Sequence, residues 1–281
     1  MNKTRLWAIL AALVLAMTAT LAVGCGDDDD DDGGGGDSGG GQPELIEEGQ
    51  LLVGTDTPYP PFEIGQPPDI SGYDIEVLNE VAKRLNLKPT YQDTSFNTIF
   101  RDLAQGKFDV VAAASTILPD RERTVDFSDP YYLTPQSLLV AEGESEVSTA
   151  EDLSGTTVGA QDGTTGEFYA NDETDASEVR GYPEGPDAIN ALRNGQVDAV
   201  IIDFAVGQDA VEKQGGVEIA QKIVTNELYG FPTAEDNDAL REQINGALAE
   251  MKQDGTFERL YQKYFKKQPP KSVLEGTHEP E

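Results

Sequence analysis

Four short apolar runs in this chain each end abruptly in residues able to grip a small polar molecule. After residues 51–55 come Asp56, Thr57 and Tyr59. After 108–113 come Ala114, Ser115, Thr116 and Arg121. After 156–160 come Gln161, Asp162, Gly163, Thr164 and Thr165, and after 198–202 comes Asp203. One guanidinium, several carboxylates, hydroxyls, an aromatic ring and a Gly-Thr-Thr helix start form a kit for holding a zwitterion. The residues needed for common catalysis are scarce. The chain has one cysteine, Cys25, and one histidine, His278. That argues against Ser-His or Cys-His nucleophiles, a cysteine zinc site and an internal disulfide. The expectation is a protein without cofactor or metal that is not an enzyme.

The elements that would carry these residues follow from periodicity. Residues 50–56 read as a strand, and "DIEVLNEVAKRLNL" places Ile75, Leu78, Val81, Ala82 and Leu85 on one helical face. "KPTYQD" reads as a second strand. "FDVVAAA" (108–114) is a continuous apolar run, as a strand covered on both faces should be. Strand, helix, strand, helix, strand predicts an α/β layout with parallel sheets, and in such sheets ligands bind beyond the carboxyl ends of the strands. A second copy is visible as a weak repeat. Leu103, Gly106 and Asp109 recur at the same spacing as Leu192, Gly195 and Asp198. Two helices, 237–255 and the one after Gly255, have no strand between them and read as a return onto the first half.

The N-terminus says where the protein works. Lys3 and Arg5 precede an apolar run from Leu6 to Val23 that ends in small residues, the pattern of an export signal over 1–24. "LAVGC" resembles the bacterial lipoprotein box, which implies a lipidated Cys25 at the mature N-terminus, with Ala22 standing where leucine is usual. Residues 26–42 are only Gly, Asp, Ser and Gln. They offer nothing apolar to bury, so 25–43 is expected to be a disordered tether. A formal charge of −32 argues against a nucleic-acid partner.

Six segments taken together resemble bacterial solute-binding protein family 3, the amino-acid receptors of ABC importers. They are "VGTDTPYPPFE", "SGYDIEVLNEVAKRL", "FDVVAAASTILPDRERTVDFSDPYY", "GTTVGAQDGTTGE", "VDAVIID" and "GTFERLYQKYF", in order over roughly 44–267. The resemblance implies a two-lobed periplasmic-binding-protein (type II) clamshell. Each lobe would be a mostly parallel sheet flanked by helices. Lobe 1 would span 44–135 plus 230–267 and lobe 2 136–229, with hinge crossings near 134–138 and 226–230 and a polar tail over 268–281.

By the same resemblance, Arg121 and Thr116 grip the ligand α-carboxylate from lobe 1, and Thr165, beside Thr164 at a helix start, grips it from lobe 2. Asp203 and the Ala114 carbonyl take the α-ammonium. Tyr59 and Phe96 flank the ligand side chain, and Asp56 and Gln161 face its end. Arg123 is expected on the surface. Ala113 and Ala114 replace serines found in some receptors of basic amino acids. Pro232 is expected to shorten the returning strand. The implied function is capture of a polar or basic L-amino acid by a monomeric, lipid-anchored extracytoplasmic protein that passes it to an ABC permease and its ATPase. Two other classes compete: a cyclohexadienyl dehydratase-like enzyme on the same fold, and a ligand-sensing module.

Overall fold

A computed structural model describes residues 43–144 and 146–277; Cys25, residues 26–42 and His278 lie outside that range. The strands are β1 (Gln50–Thr55), β2 (Ile64–Gln66), β3 (Asp69–Ser71), β4 (Lys88–Asp93), β5 (Val110–Ala112), β6 (Val125–Phe127), β7 (Tyr132–Ala141), β8 (Thr157–Gln161), β9 (Glu178–Tyr182), β10 (Ala199–Asp203), β11 (Val217–Tyr229) and β12 (Pro232–Ala234). The α-helices are α1 (Tyr73–Arg84), α2 (Phe96–Ala104), α3 (Thr165–Asp172), α4 (Gly185–Arg193), α5 (Phe204–Gln214), α6 (Asp238–Gln253), α7 (Thr256–Phe265) and α8 (Lys271–Glu275).

Two five-stranded sheets define two lobes, one ordered β4-β1-β5-β12-β6 and the other β11-β7-β10-β8-β9. Each is less parallel than its strand-helix alternation suggests. β4, β1 and β5 run parallel, as do β10, β8 and β9. The pairings beyond them are antiparallel. The antiparallel members include β12 on the return and the long strands β7 and β11, which cross between lobes. The strand-helix alternation cannot reveal such pairings: β7 and β12 follow strands rather than crossover helices, and β11, although it follows α5, pairs antiparallel with β7.

The internal repeat has a physical cause. The Asp109 N–H donates to the Leu52 carbonyl at 2.8 Å, and its carboxylate accepts the Leu52 N–H at 2.7 Å. The Asp198 N–H donates to the Thr157 carbonyl at 2.8 Å, and its carboxylate accepts the Thr157 N–H at 2.7 Å. In each lobe one aspartate therefore clasps the incoming strand to its neighbour. Gly106 and Gly195, at φ 73° and 67°, let the preceding helix end in the left-handed region that favours glycine.

The return helices pack on α1, where Arg84 meets Asp254 at 2.6 Å and Lys263 meets Glu76 at 2.5 Å. An aromatic cluster lies beneath them. Tyr132, at the start of β7, packs 5.0 Å from Phe62 and 4.5 Å from Phe265, and Tyr229, at the end of β11, packs 5.4 Å from Phe62. β12 is three residues long, the short return strand expected at Pro232. The stretch 268–281 departs from a simple polar tail. It holds α8, whose Ser272 and Val273 are buried, and Val273 joins the main core. A single turn is too short to show helical periodicity in the sequence.

Candidate functional site

Lobe 1 supplies its part of the site from the carboxyl ends of β1 and β5 and from the start of α2. Asp56 follows β1, is buried, and accepts the Phe96 N–H at 3.1 Å, which joins the loop to the first turn of α2. After β5 the chain turns at Ala114, whose φ of 43° lies in the left-handed region. Asp74 holds that turn by accepting the Ala114 N–H at 2.9 Å, and the Tyr131 hydroxyl also donates to Asp74. Residues 115–117 are clamped onto the end of β11: Ile117 N–H donates to the Leu228 carbonyl at 2.8 Å and Gly230 N–H to the Ser115 carbonyl at 3.1 Å. Arg121 then folds back under the loop and donates to the Thr116 carbonyl at 2.8 Å. Its guanidinium stacks 4.6 Å from the centre of the Phe100 ring and 5.1 Å from that of Phe96. Arg123 is exposed and pairs with Asp120.

Lobe 2 answers from the same ends of its own strands. Gln161 closes β8. Thr164 caps α3, its hydroxyl accepting the Glu167 N–H at 3.3 Å, and Thr165 is the first helical residue. Asp203 ends β10 and is buried. Side-chain hydrogen bonds join the lobes here. Arg121 donates to the Gly163 carbonyl at 3.1 Å, Gln161 donates to Asp56 at 2.6 Å, and the Tyr59 hydroxyl donates to Asp203. At Gly185, which opens α4, a Cβ would lie 2.7 Å from the Tyr59 ring. Glycine is what allows helix and ring to approach so closely.

These residues surround one cavity between the lobes. All ten expected ligand-binding residues line it: Asp56, Tyr59, Phe96, Ala114, Thr116 and Arg121 from lobe 1, with Gln161, Thr164, Thr165 and Asp203 from lobe 2. Ala113 lines it as well. Phe96 also belongs to a buried cluster with Ile99 and Leu103, so one ring serves both the core and the site.

The cavity is electrostatically divided. Burial lowers the Arg121 pKa to about 10, which leaves it charged at neutral pH, and the carboxylates of Glu227 and Asp203 oppose the shift. Burial raises Asp203 to about 7, and the nearby Glu227 charge adds to the rise. At the other end burial raises Asp56 to about 6, against the hydrogen bonds from Gln161 and the Phe96 N–H. Glu184 is pushed up to about 8 by burial and by the charges of Asp56, Asp93 and Asp187. One end therefore pairs a cation with an acid, and the other holds two carboxyls that give up their protons reluctantly.

Two polar residues of this region escaped the sequence reading. Glu227, near the end of β11, accepts from the Thr116 hydroxyl at 3.0 Å and the Thr165 hydroxyl at 2.6 Å. Gln136, on β7, donates to Asp203 at 2.9 Å and to Glu227 at 3.0 Å. Both sit on crossing strands, where polar residues in an extended run look like an exposed sheet face.

Two α/β lobes joined by crossing strands, with a polar cavity at facing strand ends, define the class of two-lobed type II binding proteins. The sequence profile of "Bacterial extracellular solute-binding proteins, family 3" matches residues 51–267. The L-cystine-binding protein TcyJ of Escherichia coli (strain K12) is 32% identical over 222 residues, covering 78% of this chain and 84% of the relative. The solved structure of an ancestral arginine-binding protein bound to arginine is 36% identical with a TM-score of 0.73, covering 77% of this chain and 98% of that one. That of the ancestral amino acid-binding protein AncCDT-1, a precursor of cyclohexadienyl dehydratase, is 32% identical with a TM-score of 0.73, covering 77% and 96%. The chain belongs to family 3 of the bacterial extracellular solute-binding proteins.

Proposed function

We propose that this protein captures a polar or basic L-amino acid outside the cytoplasm and delivers it to an ABC permease. The observation that carries the reading is the placement of one buried guanidinium and one buried carboxylate, Arg121 and Asp203, around a single cavity. A guanidinium can bind a carboxylate through two parallel hydrogen bonds. Arg121 has five N–H donors, and its two protein hydrogen bonds leave three to offer the ligand α-carboxylate. Thr116, Thr165 and the α3 N-terminus support that end. Asp203 and the Ala114 carbonyl receive the α-ammonium. Tyr59 and Phe96 flank the side chain, and Asp56 and Gln161 favour a polar or cationic tip. Because the grips come from both lobes, only a closed cleft satisfies all of them, so ligand favours closure.

The relatives named for cystine and arginine support an amino-acid ligand. We further infer that Cys25 is lipidated and 26–42 is its tether, and that the protein acts as a monomer with lobes spanning 44–135 plus 230–267 and 136–229. A thermal-shift screen of the twenty amino acids plus ornithine and citrulline tests the reading. A true ligand at a hundred times its Kd stabilises by about 2.7 kcal/mol, a rise of several degrees. No shift with any of them defeats the proposal. Likeness to the precursor of a dehydratase makes turnover worth testing, and incubation with prephenate or arogenate is expected to give no product.

A further inference from the structure

Glu227 is buried and accepts four hydrogen bonds, yet it is no part of the ligand grip proposed above. One carboxylate oxygen receives the Thr116 hydroxyl of lobe 1 at 3.0 Å and the Thr165 hydroxyl of lobe 2 at 2.6 Å. The other receives the Thr225 hydroxyl at 2.7 Å and the Gln136 side-chain amide at 3.0 Å, both from the crossing strands. Its acceptor sites are therefore well used, as a buried carboxylate requires. The Arg121 guanidinium is electrostatically coupled to it, and so is the Asp203 carboxylate.

The proton count makes this arrangement consequential. A threonine hydroxyl has one proton to donate. A proton that Thr116 or Thr165 gives to Glu227 is not available to a carboxylate in the cavity. The two hydroxyls assigned to the ligand α-carboxylate are thus the two that Glu227 already holds, one from each lobe. Glu227 has the same charge and the same acceptor geometry as the group it would compete with.

We propose that Glu227 is a latch between the lobes: it joins Thr116 to Thr165 without help from ligand, and an incoming carboxylate must take those donors from it. The competition half of this rests on the amino-acid reading above; the latch half does not. Linkage fixes the consequence. Contacts that stabilise the ligand-free closed form, and that ligand must break, are subtracted from the apparent affinity. Removing the latch should open the free protein and at the same time tighten binding.

The test is Glu227→Gln in the full chain. Fluorophores on Lys83→Cys and Asp172→Cys, in a Cys25→Ser background, report the distance between lobes by energy transfer, and calorimetry with the best amino acid from the screen reports Kd. Melting curves confirm folding. The expected result is a lower closed fraction in the free variant, full closure with ligand, and a Kd roughly three- to tenfold tighter. An unchanged lobe distance in the free variant overturns the latch. A Kd tenfold weaker overturns the competition and makes Glu227 an orienting group for the two hydroxyls. If no amino acid binds either protein but the free variant still opens, the latch stands and the amino-acid reading fails. Thr225→Val provides a second variant, since it removes a donor to Glu227 from outside the cavity. It should move the free lobe distance in the same direction by a smaller amount, and an unchanged distance counts against the latch.

Discussion

Asp203 offers the sharpest test of the site, because two independent readouts converge on it. Burial raises its carboxyl to about 7, so in the free protein it is half protonated near neutrality. A ligand ammonium needs the carboxylate form and pulls the pKa down again. Binding should therefore be strongest above about pH 7 and weaken as pH falls through that value, with a proton released on binding. At pH 5.5 a group of pKa about 7 is only about 3% ionised, against about 90% at pH 8, so Kd should rise about 30-fold over that interval. Asp203→Asn removes the charge and keeps one acceptor oxygen, enough for one of the two donors, the Tyr59 hydroxyl or the Gln136 amide, which bond different oxygens of Asp203. Loss of one partner of a buried charge pair costs about 2–5 kcal/mol, or roughly 30- to 5,000-fold in Kd. Calorimetry at pH 8, 7, 6 and 5.5 on both proteins, with glutamine as an uncharged-side-chain probe if it binds, reads both effects. A flat wild-type profile would refute the protonation argument. A variant that binds as tightly as wild type at pH 8 would remove Asp203 from the site. A slope that persists in the variant would move the effect to another acid, with Asp56 the first candidate.

Three further outcomes are expected. Arg121→Ala should abolish binding, since it removes the cation that pairs with the α-carboxylate and strips the Thr116 and Gly163 carbonyls of their donors; micromolar affinity by calorimetry would sink the site assignment. Asp109→Ala should cost about 2–3 kcal/mol in urea unfolding, because the Ile46 and Leu52 N–H groups both lose their acceptor, and a change below 0.5 kcal/mol would show that the clasp is unimportant. Cys25→Ser should move the protein from the membrane pellet to the soluble extracytoplasmic fraction, and a variant that stays with the membrane would rule out the lipid tether.

The parts of this molecule that were legible in sequence are those built from local signals. Apolar runs located β1, β5, β8 and β10, and the residues just past them are the ones that meet in the cavity. Helical periodicity located α1 and the return helices α6 and α7. What stayed hidden depends on partners far along the chain. The hairpin of β2 and β3 is only three residues a side, and its Gly-Gln-Pro-Pro-Asp sequence reads as plain loop. The antiparallel placement of β7 and β11 depends on pairing between residues as far apart in the chain as Tyr132 and Tyr229. Glu227 is polar in an ordinary-looking strand; only the approach of Thr116 and Thr165, 111 and 62 residues away, makes it part of the site.

The aromatic rings at the roots of the crossing strands have a mechanical consequence. Tyr132 is set among Phe62, Tyr261 and Phe265, and Tyr229 among Phe62, Tyr131 and Tyr132, so each strand is built into lobe 1 like a beam into a wall. A beam fixed at its root bends where it is weakest. On β11 that place is the interrupted ladder between Ile223 and Glu227, where Val224 is 70% exposed and Asn226 has a φ of 54°. The compliance of the cleft is thus set by a few backbone torsions outside the cavity lining. Loosening them, for example with Asn226→Gly, which enters the left-handed region without strain, tunes how easily the lobes part while leaving the lining of the cavity unaltered.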